Sequence, residues 1–441
     1  MNVTTLQDFR QEIYTCMEGA GDTLFTVVDA LTSESQAQSF PELSLSVFFP
    51  RSWSSLYKAF KRGKINRERL QDVLIKYIPP RYLEGRLILG IDASQIERPC
   101  SETSPDRTAM PMHNIPHAAP KKSTAITFGW KYSTVTVLPD KPGSWTYILD
   151  QQRIPSDKTD VQLAWEQIKE IVPKLPKRPL FLLDRGYVSV WLWCQFTGIA
   201  ADLLGRLKSN QCFYKPTPEP TGKKGRPRLD GAKLKLGNSS THLDPDGIYE
   251  MTDEKGRQAS IRCWKHMHVK EARYLDLTII QVTRPYASKK ERDPRISWFV
   301  YIGQDPEDAI AQVALLYGLR FGQEHGYRFD KQSLLWTQPR LQTPAQFDLW
   351  SHIVAIAHNQ VVIARDFIAA ELRPWENKHR TPTPQNVRRG LVKILSQLGS
   401  PAHSPHPRGK SKGRAFGTKL PKRLRFSVVR KKPSLPQVVS T

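Results

Sequence analysis

Nowhere in the 441 residues is there a run of the ~18 consecutive apolar side chains that a helix needs to cross a bilayer, so no membrane span is expected. Cysteine is scarce. Cys16, Cys100, Cys194, Cys212 and Cys263 are far apart and form no Cys-x-x-Cys pair, which argues against a local zinc clip or a redox dithiol and leaves reduced, incidental thiols. Acidic residues are in deficit, 42 against 66 Lys and Arg, for a net charge of +24. That surplus suits the neutralisation of phosphates and the release of their counter-ions. It is spread over several segments rather than one amphipathic helix, which favours nucleic acid over anionic lipid as the partner. Between Met1 and Ser35 there is no basic start followed by an apolar run and a small-residue cleavage site, so a cytoplasmic location is expected.

From Ser400 onward the chain has no acidic residue at all but eleven Lys and Arg among many Pro, Gly and Ser, and this stretch (400–441) is expected to be a disordered basic tail. The rest divides by its periodicity. Residues 1–80 read as helical, with Leu6, Phe9, Ile13 and Met17 spaced for one apolar face, and Pro79-Pro80 ends the segment. Within it Lys58, Lys61 and Arg62 are interleaved with Trp53, Tyr57 and Phe60. Two readings stand open, a helix pair lying on DNA and a bundle with a solvated basic face.

Strand patterns then begin. Leu87 to Ile91 is a buried strand expected to end at Asp92, Ala125–Leu138 and Trp145–Leu149 give two more strands, and Val161–Ile171 has helical spacing. Pro179 to Leu183 is another buried strand, ending at Asp184, followed by a helix and a short strand near Asp202–Leu207. The order βββαβαβ across 81–207 is that of an RNase H-like core. Residues 208–296, rich in Gly, Pro and Lys with short alternating strands, are expected to form a β-rich insertion subdomain. The core resumes over 297–399 with a strand at Trp298–Ile302 and a long helix from Pro306 to about Gly326. The predicted class is thus α/β, with a helical N-terminal domain, an interrupted core and a basic tail.

Two strand-end aspartates on neighbouring strands would lie together at one sheet edge, and Glu324 on the late helix is the third candidate. Tyr317, Arg320, Glu324 and Lys331 are offset by 0, 3, 7 and 14 residues, which at about 100° per residue project within roughly 60° of one another. Converging carboxylates are hard oxygen ligands for Mg²⁺ or Mn²⁺, and a pair of ions can serve phosphodiester chemistry. Arg320 and Lys331 beside them would bind phosphates. Gly318, Gly322 and Gly326 recur every four residues, which costs about 1 kcal/mol each in a helix and predicts a close approach of the helix to the sheet.

Tyr317-Gly-Leu-Arg320-Phe-Gly-Gln-Glu324 followed by Lys331, with Leu183-Asp184-Arg185-Gly186-Tyr187 and Ile91-Asp92-Ala93-Ser94, resembles the DDE transposases of bacterial insertion sequences and their Tyr-x2-Arg-x3-Glu-x6-Lys signature. The resemblance spans about Leu87 to Lys331. It implies Asp92, Asp184 and Glu324 as catalytic residues holding two Mg²⁺ or Mn²⁺ ions. It also implies double-stranded DNA, both transposon terminal repeats and target, as partner, and a homodimer pairing two DNA ends. Tyr317, Arg320 and Lys331 would contact DNA, and Trp298, on the strand before the signature helix, would lie near a flipped base. Lys223-Lys224-Gly225-Arg226-Pro227-Arg228 resembles an AT-hook, with Arg226 and Arg228 as minor-groove residues; an exposed basic hairpin is the other reading. The function implied is metal-dependent cleavage at transposon ends and strand transfer into target DNA, by a bacterial, nucleoid-associated enzyme. The alternatives are an RNase H-like nuclease that cuts without joining and a domesticated DNA-binding protein on the same fold.

Overall fold

In the computed structural model, residues 1–112, 125–219, 228–252, 258–284, 296–406, 413–419, 421–430 and 433–436 are described. The apolar face read from Leu6, Phe9 and Ile13 is buried along α1 (Val3–Thr15), whose first turn is capped by the Asn2 side chain. Met17 lies just beyond it, in β1 (Met17–Gly19). The helix α2 (Gly21–Ser33) is buried from Leu24 to Ser33, and its Asp29 is neutralised by the buried Arg10 at 2.5 Å. A short α3 (Phe40–Leu43) leads to the basic α4 (Trp53–Arg62). The two-residue β2 (Lys64–Ile65), paired with β1, and α5 (Arg67–Lys76) complete the segment.

The core sheet starts with β3 (Leu87–Glu97), β4 (Thr108–Pro111), β5 (Ile126–Val137) and β6 (Tyr147–Ile154). Next come α6 (Asp160–Ile171), β7 (Pro179–Leu183), α7 (Val190–Phe196) and β8 (Asp202–Arg206). Strands β3, β7 and β8 are parallel, and β5 and β6 run antiparallel on the other side of β3. Alternation explains why the parallel strands are apolar throughout. Leu87, Leu89, Ile91, Phe181 and Leu183 join one hydrophobic cluster, while Ile88, Leu180 and Leu182 join a second one on the opposite face.

The segment expected to be an insertion contributes β9 (Cys212–Tyr214), β10 (Lys233–Lys235), β11 (Gly247–Thr252), β12 (Gln258–Val269) and β13 (Ala272–Thr283). These strands do not make a sheet of their own. Through β14 (Ile296–Ile302), which pairs with both β13 and β8, they extend the core sheet to twelve strands among the described residues.

The long late helix of the sequence reading is broken into α8 (Pro306–Ala311), α9 (Val313–Leu319) and α10 (Phe321–Gln332), with the interruptions at Gln312 and Arg320. At Arg320 the turn tightens, and both Arg320 and Gln323 donate their backbone N–H to the carbonyl three residues back. Two helices close the fold, the almost wholly buried α11 (Pro344–Ala364) and α12 (Pro384–Leu398). Since α2 packs on both, residues near the two ends of the chain share one core. Near residues 426–429 the tail is tied to the body. Phe426 and Val429 donate backbone N–H groups to Glu102 and Arg107, and Val429 makes a β-bridge with Thr108.

Candidate active site

The last residue pair between the parallel strands β3 and β7 is Ile91 with Leu183, so Asp92 and Asp184 come next on adjacent strands. Asp184 follows the end of β7, as its motif predicts. Asp92 does not end a strand. The twelve-residue β5 goes on pairing with β3 as far as Glu97 with Gly129, so Asp92 stands inside β3 opposite Thr134, at the point where its other neighbour stops.

The end of α9 and the start of α10 deliver the remaining groups. Gln323 donates through Nε2 to the Thr134 carbonyl at 2.9 Å, and the Tyr327 hydroxyl donates to the Asp92 carbonyl at 2.6 Å, which fastens α10 over β3 and β5. This approach requires glycine at position 90, where a Cβ would come within 2.6 Å of Gln323 Oε1. Arg320, at the junction of the two helices, then bridges two acids. Its Nη1 is 3.5 Å from Asp92 Oδ2, and its Nη2 donates to Glu324 Oε1 at 3.2 Å. From the preceding turn the Tyr317 hydroxyl donates to Asp184 Oδ1 at 3.0 Å.

Burial and charge set the two aspartates apart. Burial pushes the Asp92 carboxyl up to about 6, offset only in part by Arg320 and the Ala93 N–H, while the charges of Asp184 and Glu324 add to the rise. Burial also pushes Asp184 upward, but the Arg185 N–H, Arg320 and the Tyr317 hydroxyl outweigh it and hold the carboxyl below the usual range. Tyr317, buried beside Asp184 and edge-on to Phe299, is pushed up to about 12 and keeps its proton.

Arg320 is buried among carboxylates rather than free to fork onto a phosphate, because the ionised acids would otherwise face one another unneutralised. Lys331 lies in the last turn of α10, where burial lowers its pKa and the charges of Glu97, Asp330 and Asp92 work against that. Trp298 is 5% exposed and packs between Trp264 and His242, at ring-centroid distances of 5.5 and 5.3 Å, so its indole belongs to the core. Lys58, Lys61 and Arg62 are exposed on α4, and Arg228 is exposed; Arg226 lies outside the described residues. One cation escaped the sequence reading. Arg206, the last residue of β8, sits over the Tyr317 ring at 5.9 Å, adds positive charge beside Asp184, and has a buried Nε with no partner. No motif marks it, but the end of the third parallel strand was a place to look.

Three carboxylates against one central guanidinium leave a surplus of negative charge, and their oxygens are the hard donors that Mg²⁺ or Mn²⁺ prefers. The guanidinium stands where a counter-ion would. No three His, Cys, Asp or Glu side chains among the described residues are close enough to hold a metal ion. The donor chemistry fits a divalent cation, provided that Arg320 yields part of its place.

A family model described as DDE superfamily endonuclease matches residues 12–268, a span that contains Asp92 and Asp184 and stops before Glu324. A search of curated proteins gives no match. Among solved structures, a piggyBac transposase synaptic complex with hairpin DNA is similar at a TM-score of 0.43 and 14% identity, over 92% of this chain and 79% of that one.

Proposed function

Because the chain belongs to the DDE superfamily of endonucleases, we propose that it is a transposase that cuts DNA at the ends of a mobile element and joins those ends to target DNA. The observation that carries this reading is the convergence of Asp92, Asp184 and Glu324 on the α9–α10 corner through Arg320 and Tyr317. The sheet order β6-β5-β3-β7-β8, with parallel β3, β7 and β8, supports an RNase H-like core, and Tyr317 of α9, Arg320 at the junction, and Glu324 and Lys331 of α10 stand at the positions of the Tyr-Arg-Glu-Lys signature.

Asp92 and Asp184 would hold the divalent cations, two per site, with Glu324 closing the set from the helix. The ions, when bound, activate the attacking oxygen and stabilise the leaving one. In the first step a water oxygen adds to phosphorus at the element's end, and the 3′-oxygen departs and takes a proton. In the second, that 3′-hydroxyl attacks a target phosphodiester and displaces its 3′-oxygen. Tyr317 keeps Asp184 oriented and ionised, and Arg320 balances the acids until the substrate and its cations arrive. Arg206 and Lys331 are the cations left to meet the phosphate. The exposed Lys58, Lys61, Arg62 and Arg228 would extend the contact along DNA, and a homodimer would pair the two ends. An insertion-sequence origin in a bacterium follows from the signature.

The test is cleavage and joining of DNA that carries the element's own ends, in Mg²⁺ and in EDTA. Asp184→Ala and Glu324→Ala should each lose both products by more than ~100-fold, the scale at which loss of a transition-state charge stabiliser is felt, while still binding DNA. Full cleavage by Glu324→Ala would overturn the assignment. Cleavage without joining by the wild type would identify a nuclease.

A further inference from the structure

A second cationic site lies away from the acids. A cavity of about 660 Å³ opens between the first turns of α2 and α4, lined by residues 20–23, by Arg51, Ser52, Ser54, Ser55, Lys58 and Arg62, and along one side by Ser404–His406 of the tail. Its charge balance is positive. Lys58 and Arg62 are one turn apart on α4, both exposed, and neither has an ion-pair partner among the described residues. Arg51 donates from Nη2 to the His403 carbonyl at 2.6 Å, which fixes the tail wall, and its Nε is buried without a partner. The one acid in the lining, Asp22, is already engaged by the Tyr14 hydroxyl at 2.6 Å and the His403 N–H at 2.9 Å.

The two helices that start here are also the ones left uncapped in this part of the chain. Helices α1, α3 and α5 have side-chain caps from Asn2, Ser39 and Asn66. By contrast α2 is preceded by Ala20, in the left-handed region at φ 53°, and α4 by Ser52; neither side chain accepts a hydrogen bond from its helix. The Ser52 hydroxyl instead meets those of Ser54 and Ser55 at 3.0 and 3.2 Å. Three cations, three hydroxyls and two helix starts without side-chain caps converge on one cavity, an environment that calls for an anion with several acceptor oxygens.

We infer that this cavity seats a backbone phosphate of duplex DNA, so that the N-terminal helices and the start of the tail form one DNA-binding surface. The inference rests on the DNA-acting reading above. DNA is favoured over a free phosphate compound because the same helix exposes Trp53 and Tyr57, in edge contact at 6.1 Å, beside Lys61, which extends the surface beyond what a small anion could cover.

The test measures binding of the full chain to a fluorescein-labelled duplex as a function of salt. Each phosphate contact adds about 0.9 to the slope of log K against log salt. Lys58→Gln with Arg62→Gln, both exposed and harmless to packing, remove two cations from that one phosphate and should therefore lower the slope by about 0.9 and weaken binding roughly fivefold at ~0.15 M salt. Lys235→Gln, on β10 at the opposite edge of the sheet, should change neither. An unchanged slope in the double variant, or an equal fall in Lys235→Gln, overturns the inference. So does displacement of DNA from the wild type by micromolar inorganic phosphate or ATP, which would assign the cavity to a free phosphate compound. Glu324→Ala separates the two readings. If it keeps the wild-type slope but loses cleavage, both stand; if it keeps cleavage, the proposed catalytic site fails while the phosphate cavity is judged on its own slope.

Discussion

Arg320 is the residue whose role changes most between sequence and structure. Its place in the signature invites a phosphate fork, yet its guanidinium is buried against Asp92 and Glu324. Replacing it with Met keeps the volume and removes the charge, so Asp92 and Glu324 lose the counter-ion that bridges them. Because Asp92 retains 26% of its side-chain exposure, the cost should fall below that of a fully buried pair, at about 1–3 kcal/mol in urea unfolding at pH 7 without metal. Its pH dependence has a definite sign. A carboxyl whose pKa is raised on folding binds its proton more tightly in the native state, so stability falls as pH rises through about 6, where Asp92 ionises. The deficit should be small at pH 5 and larger at pH 8, and Mg²⁺ should restore more stability to Arg320→Met than to the wild type. A variant as stable as the wild type at pH 8 without metal would show that the guanidinium does not balance the acids. The two aspartates were legible because each follows an apolar run. The bridging place of Arg320 was not, because a signature records residue order and not which groups need neutralising.

At the scale of elements, the helix that carries the signature was legible in position but not in continuity. Periodicity alone joins Pro306 to Gly326, whereas the chain breaks at Gln312 and again at Arg320, and at Arg320 i to i+3 hydrogen bonds replace the longer ones. The four-residue glycine spacing foretold a close approach, and the structure divides the three glycines. A Cβ at Gly326 would come within 2.6 Å of Thr146 Oγ1, one at Gly322 within 3.1 Å of the Gly143 carbonyl, and one at Gly318 would meet nothing within 4 Å. Thr146 cannot swing away freely, because its carbonyl accepts from the buried His358, whose other nitrogen faces Asp330 of α10 at 2.6 Å. Gly326→Ala should therefore destabilise by ~1–3 kcal/mol through overpacking. Gly318→Ala should stabilise by up to about 1 kcal/mol, since an open helical site gains from the loss of unfolded-state freedom. Chemical denaturation of both variants tests the pair. Changes of equal sign would mean that the approach of α10 to β6 is not what sets the glycine positions.

Over the whole molecule, the strands were legible one by one, while their assembly was not. Alternating patterns in 208–296 announced β-structure, and the richness of the segment in Gly, Pro and Lys suggested an inserted subdomain. Pairing between β14 and β8, from Phe299 with Arg206 to Ile302 with Leu203, is a long-range contact that no local periodicity can encode. The consequence is mechanical. β13 lies between β12 and β14, and its Leu277, Ile279, Ile280 and Val282 are fully buried. β14 in turn is hydrogen-bonded to β8 of the parallel core, so freeing β13 exposes core surface on both faces of the sheet. Native-state hydrogen exchange under rising denaturant should therefore show the Leu277–Val282 amides and the Leu89–Ile91 amides of β3 converging on one opening free energy with one denaturant slope. An independent subdomain would behave otherwise, opening at lower free energy and with a smaller slope because it uncovers less surface. That outcome would mean the β14–β8 ladder does not couple the two regions, and that 208–296 can move as a unit while Asp92, Asp184 and Glu324 stay in register.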